Sequence, residues 1–172
     1  ANTFLAARGM DMAKSLVEED KLDLARSLME KAKEKGVDFL LPVDLVVAEA
    51  FSADAQHQVV PADKVPAGWM SMDIGPESAA SFGRVIRNAR TILWNGPMGV
   101  FEMAPFAKGT GEIAKAVTEA QAISIVGGGD SIAAIHKTGL AHKITHISTG
   151  GGATLEFLEG KELPGVAVLE NK

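Results

Sequence analysis

Apolar residues recur along the chain at two periods, and the period switches repeatedly. Leu22, Ala25, Leu28, Met29 and Ala32 fall at helical spacing, and Gly36 follows where a helix-closing glycine belongs. Phe39 to Ala48 is a dense apolar run, rich in valine and interrupted by Pro42 and Asp44, whose second half reads as a buried strand. Met70 to Ile74 reads as another strand, and Gly75-Pro76 opens a helix with Phe82, Val85, Ile86 and Ala89 on one face. Three strand-then-helix units follow. Thr91 to Trp94 precedes a helix with Ile113, Ala116, Val117 and Ala120; Ala122 to Val126 precedes one starting near Asp130; Thr145 to Ser148 precedes one starting near Gly152. This alternation predicts an α/β fold, a three-layer Rossmann-like parallel sheet with helices on both faces and ligands at the carboxyl ends of its strands. No repeat, low-complexity tract or linker interrupts it, so one compact unit is expected.

Composition narrows the function classes. With 172 residues, 47% hydrophobic and 23% charged, the chain has the make-up of an ordinary globular domain. No apolar run reaches the roughly 18 residues of a spanning helix, and no signal-peptide pattern opens the chain. The absence of cysteine removes disulfides and thiolate metal sites. A formal charge of −5, spread rather than blocked, argues against a nucleic-acid footprint. These features fit a cytoplasmic protein without a membrane partner. The start at Ala1-Asn2-Thr3-Phe4, entering a helix-like segment at once, reads as the start of a fragment.

The chemistry gathers at three strand ends. Leu93-Trp94-Asn95-Gly96-Pro97-Met98-Gly99-Val100-Phe101-Glu102 joins a strand ending to a backbone-exposing turn and then to a single carboxylate. Val126 runs into Gly127-Gly128-Gly129-Asp130-Ser131, and Thr149 into Gly150-Gly151-Gly152-Ala153. A glycine loop between strand and helix leaves amides uncovered at the helix's positive end, which favours phosphate. Each run taken alone also suits a tight turn. Asp130 would repel a phosphate unless a cation stood between them, and Mg²⁺ held by one carboxylate plus substrate phosphates resolves the conflict; the alternative is a helix-capping carboxylate.

Other signatures are absent or misplaced. There is no GxxxxGK[ST] loop. Gly109-Thr110-Gly111-Glu112-Ile113-Ala114 matches GxGxxA, with Asp130 at about the spacing of a ribose acid, but no strand runs into its first glycine. A dinucleotide-binding dehydrogenase domain is thus a minor alternative. His57, His136, His142 and His146 lack metal spacing, Gly129-Asp130-Ser131 is not a nucleophile elbow, and Lys31, Lys33 and Lys35 read as a solvated helix end.

Taken in order, Ala1 to Leu5, Lys14-Ser15-Leu16, Leu41-Pro42-Val43-Asp44, Phe51-Ser52, Asp73-Ile74-Gly75-Pro76, Trp94 to Glu102, Gly127 to Ser131, Ser148 to Ala153, Leu155 to Lys161 and Leu163-Pro164-Gly165 resemble bacterial phosphoglycerate kinase. The resemblance spans essentially residues 1–172 but less than half of the family's chain, and implies most of its C-terminal nucleotide-binding domain without the N-terminal substrate domain. It implies that Glu102 holds the ribose hydroxyls, that Asn95 and Pro97 shape the triphosphate side, and that Gly128, Gly129, Asp130 and Ser131 hold the phosphates and Mg²⁺. Leu16, Phe51, Met70, Met72 and Val100 would wall the adenine, and Gly128, Gly151 and Gly152 would face the transferred phosphoryl group.

The reaction implied for the complete enzyme is reversible transfer between 1,3-bisphosphoglycerate and ADP, giving 3-phosphoglycerate and ATP in glycolysis, by a protein monomeric at full length. The family's Gly-Gly-Ala-Lys segment is not found here, while Leu163 to Leu169 resembles its C-terminal end. The expectation is therefore a chain truncated at the front and inactive alone. A free-standing, non-catalytic nucleotide-binding module is the alternative.

Overall fold

The valine-rich run becomes β1 (Asp44–Ala48), the central strand of a three-stranded sheet in the computed structural model, which describes residues 1–169. On one side β1 pairs antiparallel with β2 (His57–Pro61), Leu45 opposite Val60; on the other it pairs antiparallel with β3 (Met70–Ile74), Leu45 opposite Ile74, with a register shift between Val46 and Val47. The sequence pattern foresees β1 and β3 but neither β2 nor the antiparallel pairing. Only Val60 of β2 is buried, so no apolar period marks that strand. The connection 49–56 is too short for the crossover that a parallel neighbour requires.

Being central, β1 buries both of its faces. Leu45 and Val47 join Leu5, Met12, Val60 and Val65 in one core, while Ala48 joins Met72 and Phe106 in another. Around this sheet lie α1 (Asn2–Ala7) and α2 (Leu22–Glu34). Gly36, at φ +65°, closes α2 as expected: its amide bonds to the Lys33 carbonyl and the Val37 amide to the Ala32 carbonyl, satisfying two orphan acceptors. The apolar stripe of α2 is only partly covered, with Ala25 buried and Leu28 exposed.

The Asp44 carboxylate caps α3 (Pro76–Arg87) from a neighbouring strand, accepting the Glu77 and Ser78 amides at 3.0 and 2.7 Å. Gly75 precedes the helix because this carboxylate fills the space a β-carbon would need. On α3 the buried positions are Ser78, Ala79 and Gly83, while Phe82 and Ile86 are half-buried and Val85 is exposed.

A second sheet is parallel, in the order β4 (Thr91–Asn95), β5 (Ile123–Gly127) and β6 (His146–Ser148), as the strand-then-helix alternation predicts. Its helices are α4 (Lys108–Glu119), α5 (Gly129–Lys137) and α6 (Gly151–Leu158), followed by a short α7 (Pro164–Ala167). On β4, Ile92 and Trp94 are buried and alternate with exposed Thr91, Leu93 and Asn95. The register sets Asn95 beside Gly127 and Gly127 beside Ser148, so all three strands end level.

Where the sequence suggests one compact unit, contacts divide the chain into two. Unit 1 comprises Ala1–Val85 and Met98–Ile113; unit 2 comprises Ile86–Pro97 and the described residues from Ala114 onward. Each has its own sheet, antiparallel in the first and parallel in the second, so a sequence-local reading of strands could not separate them. Among the described residues no helix is long and apolar enough to cross a membrane.

Candidate functional site

Unit 1 carries an apolar cavity of about 420 Å³. Leu16, Phe51, Met70, Met72 and Val100, the five residues expected around a base, all line it. Met72 is buried at 3% exposure, whereas Leu16 and Phe51 are 84% and 63% exposed, so large apolar side chains stand at the mouth with no protein cover. Backbone bonds hold the walls: Ser71 donates to the Ser15 hydroxyl at 2.9 Å, beside Leu16, and Val100 donates to the Met72 carbonyl at 2.8 Å. Glu102 is exposed, just beyond buried Phe101.

The lining of that cavity also includes a carboxylate to which the sequence pattern assigns no role. Asp73 is 2% exposed on β3, and its oxygens accept the Ile74 amide at 2.9 Å and the Gly109 amide at 2.8 Å. Burial pushes its carboxyl up to about 6, against the pull of those two amides. Gly99 and Gly109 pack on it: a β-carbon at Gly99 would stand 2.6 Å from both Asp73 Cγ and the Met72 carbonyl oxygen. Thr110, next along α4, accepts the Met98 amide at 3.1 Å. The GxGxxA string thus spans the opening turns of α4, with no strand leading into it, and its first glycine serves packing.

In unit 2 the level strand ends bring Asn95 and both glycine runs to one edge of the sheet. The turn after β4 is tied twice, Trp94 Nε1 donating to the Gly96 carbonyl at 2.6 Å and the Gly96 amide donating to Ser131 Oγ at 2.6 Å. Ser131 is 1% exposed, so its hydroxyl acts beneath the loop as a tether. Half-buried Pro97 follows the tied turn.

Within each glycine run the residues differ in kind. Gly128, at φ +91°, lies against the Asn95 side chain, and a β-carbon at Gly151 would stand 2.6 Å from Gly128 Cα, so the two runs touch through bare backbone. Gly129 and Gly152 have nothing within 4 Å of where a β-carbon would stand, and both are exposed. Packing therefore explains the first pair and leaves the second to open space. Gly129, Asp130 and Ser131 open α5, and Gly151, Gly152 and Ala153 open α6, so their amides have no acceptor within the helix. Asp130 is exposed, and among the described residues its side chain has no hydrogen-bond partner and no side chain caps α5. Among the described residues no three His, Asp or Glu gather as a metal cage. A lone carboxylate beside bare amides suits Mg²⁺, which takes most of its ligands from phosphate and water. His57, His136, His142 and His146 are exposed and scattered.

The model of phosphoglycerate kinase matches residues 1–161. The chain belongs to the phosphoglycerate kinase family. A relative from Moorella thermoacetica named phosphoglycerate kinase is 60% identical over 172 residues, covering 100% of this chain and 44% of its own length. One from Nicotiana tabacum, named as the cytosolic phosphoglycerate kinase, is 58% identical over 172 residues, covering 98% of this chain and 43% of its own. The solved phosphoglycerate kinase of Coxiella burnetii superposes with a TM-score of 0.93 at 47% identity, over 96% of this chain and 43% of that one. The chain thus spans less than half the length of these relatives.

Several family strings now have local physical causes. In Asp73-Ile74-Gly75-Pro76, Asp73 anchors Gly109, Gly75 makes room for Asp44, and Pro76 opens α3. Asp44 within Leu41 to Asp44 is the cap itself. Asp44, Asp73, Ser78 and Thr110 are among the polar residues to which the sequence pattern assigns no role; their common signal is a lone polar side chain inside or beside an apolar element, and all four are buried.

Proposed function

We propose that the chain is the nucleotide-binding portion of a phosphoglycerate kinase whose full-length form reversibly transfers a phosphoryl group between 1,3-bisphosphoglycerate and ADP, giving 3-phosphoglycerate and ATP in glycolysis. The observation that carries the proposal is the convergence of five separated apolar residues, Leu16, Phe51, Met70, Met72 and Val100, on one open cavity. Its volume and the apolar part of its lining suit a flat neutral base.

In this reading the adenine lies on that apolar lining and Glu102 accepts hydrogen bonds from the ribose hydroxyls. Asn95 and Pro97 shape the triphosphate side. The amides of Gly128 and Gly129 hold the nucleotide phosphates, with Ser131 fixing the loop that presents them. Gly151 and Gly152 offer amides to the transferred group, whose charge is spread over three equatorial oxygens, so that positioning and neutralisation carry the catalysis. Asp130 is the protein's ligand to Mg²⁺, which when bound neutralises phosphate charge. The rest of the full-length polypeptide supplies the phosphoglycerate site. The protein works as a monomer in the cytoplasm, without nucleic-acid or membrane partners.

Calorimetry with Mg-ADP tests this reading. Binding is expected for the parent chain, and Glu102→Ala should weaken it by about 1–3 kcal/mol, the worth of two hydrogen bonds. Equal affinity in a folded Glu102→Ala variant removes Glu102 from the site. Transfer is tested separately: with 3-phosphoglycerate and Mg-ATP the 172-residue chain should show no useful turnover, because in-line positioning of the acceptor accounts for about 7–11 kcal/mol of barrier lowering. Turnover by this chain at the rate of a complete kinase would overturn that assignment.

A further inference from the structure

The cavity in unit 1 has in its lining a buried carboxylate, Asp73, whose two oxygens are both turned to backbone amides. Its wall at Met98–Val100 is an irregular segment, which by itself would be free to drift. Three attachments hold it: the Val100 amide on the Met72 carbonyl at 2.8 Å, the Met98 amide on Thr110 Oγ1 at 3.1 Å, and Gly99 seated against the Asp73 carboxylate. The second depends on where α4 begins, because Thr110 stands in its first turn. That start is fixed by Asp73, which takes the Gly109 amide at 2.8 Å across the fold while its other oxygen takes the Ile74 amide at 2.9 Å. One carboxylate therefore sets both the floor and the far anchor of the wall.

A buried carboxylate is an expensive way to hold a loop that apolar packing could also cover. A packed hydrophobe at position 73 could not accept two amides, and with Asp73 in place neither Gly99 nor Gly109 has room for a β-carbon. We propose that Asp73 is a positioning residue of the base pocket: through Gly109, Thr110 and Gly99 it holds the Met98–Val100 wall where Val100 and the methionines of β3 together offer an apolar surface to a flat neutral heteroaromatic base. It touches no reacting atom. The proposal rests on the reading that this cavity takes the adenine of the nucleotide.

The test uses the 172-residue chain, with adenosine as the probe of the pocket and inorganic tripolyphosphate as a probe that does not use it. Asp73→Asn keeps the shape but turns one oxygen into a donor, which then faces an amide donor and cannot hold it. Thr110→Val keeps the volume and removes only the link to Met98. Adenosine affinity, followed by NMR titration, should fall about five-fold or more in each variant, the worth of one lost hydrogen bond. Tripolyphosphate affinity should stay within about two-fold, below the effect of a typical lost hydrogen bond. A merely structural role would weaken both probes together through loss of folded protein. Adenosine binding equal to that of the parent, or equal loss of both probes, overturns the positioning role while leaving the nucleotide reading standing. A parent chain that binds tripolyphosphate but not adenosine overturns the base-pocket reading and the positioning role with it. Should Asp73→Asn fail to fold, the split in Thr110→Val decides alone.

Discussion

Gly151 meets Gly128 backbone to backbone: a β-carbon on Gly151 would lie 2.6 Å from the Cα of Gly128 and 2.8 Å from its nitrogen. Neither neighbour is the flexible end of a side chain, so neither can yield cheaply. One residue further on, Gly152 has open space, and it stands inside α6, where glycine is a poor helix former. Gly151→Ala should therefore destabilise unit 2 by about 1–3 kcal/mol through overpacking. Gly152→Ala should leave stability unchanged or raise it by up to about 1 kcal/mol, yet weaken binding of Mg-ATP. Denaturation and calorimetry on the two variants check this, and a Gly152→Ala protein with unaltered affinity would free that position from the phosphates.

Asp44 and Ser78 form a closed polar knot between β1 and α3. Ser78 Oγ donates to the Asp44 carboxylate at 2.5 Å and accepts the Val43 and Asp44 amides at 2.9 and 3.1 Å, while the carboxylate takes the Glu77 and Ser78 amides. Asp44→Ala removes the cap and strands buried donors, so about 2–4 kcal/mol of stability should be lost. Ser78→Ala, which strands the Val43 and Asp44 amides, should cost about 1–3 kcal/mol. The chain has two tryptophans, half-buried Trp69 in unit 1 and buried Trp94 in unit 2. Fluorescence in a Trp94→Phe background therefore reads unit 1, and that is where both losses should register.

Apolar period and glycine placement made the parallel sheet legible. Ile92 and Trp94 alternate with exposed neighbours, Val126 leads into glycine, and the strand-glycine-helix order recurs, so β4, β5 and β6 and the level ends that carry the loops could be read directly. The antiparallel sheet was half legible. β1 and β3 are apolar enough to see, but β2 has a single buried residue, and its pairing depends on the short connection rather than on its composition.

The candidate site divides in the same way. The base-lining residues were reached through the family's strings, since an exposed Leu16 and Phe51 have no period to betray them. What stayed hidden was the support. Nothing in Met-Ser-Met-Asp-Ile says that Asp73 reaches the amide of Gly109, because the partner is set by tertiary packing and not by spacing. Ser131 is a further case: its place beside a glycine run does not show that its buried hydroxyl accepts the Gly96 amide, because that partner too is set by tertiary packing.

Asp73 gives the chain a pH signature. Its carboxyl is raised by burial from 3.8 to about 6. Stability contributed by a group raised on folding is fully present below the unfolded value and is lost as pH rises through the folded one. Relative to its protonated state below about pH 4, Asp73 should cost the fold on the order of 3 kcal/mol by pH 7 to 8, once it is ionised in its buried site. Asp73→Asn cannot titrate, so the difference in unfolding free energy between parent and variant should move in the variant's favour as pH rises from about 4 to 8. Urea denaturation across that range, read through Trp69, measures the slope. A difference moving the other way would mean that the amides of Gly109 and Ile74 outweigh burial and hold the carboxylate ionised.

Asp130 offers the sharpest separation of fold from ligand. It is exposed in the first turn of α5, where a negative charge gains about 0.3–1 kcal/mol from the helix dipole. Among the described residues its side chain has no hydrogen-bond partner for a substitution to remove. Asp130→Asn preserves size and leaves the glycine amides in place, so its effect on unfolding should be under about 1 kcal/mol. Its effect on metal-dependent binding should be larger, because the one carboxylate beside the phosphate loop is lost and Mg²⁺ keeps only phosphate and water as ligands. The measurement is ADP affinity with and without Mg²⁺, in parent and variant. The parent should bind more tightly with the metal, and Asp130→Asn should lose most of that gain while its metal-free affinity holds or improves as repulsion is relieved. If the metal strengthens binding equally in both proteins, Asp130 is only a dipole partner of α5.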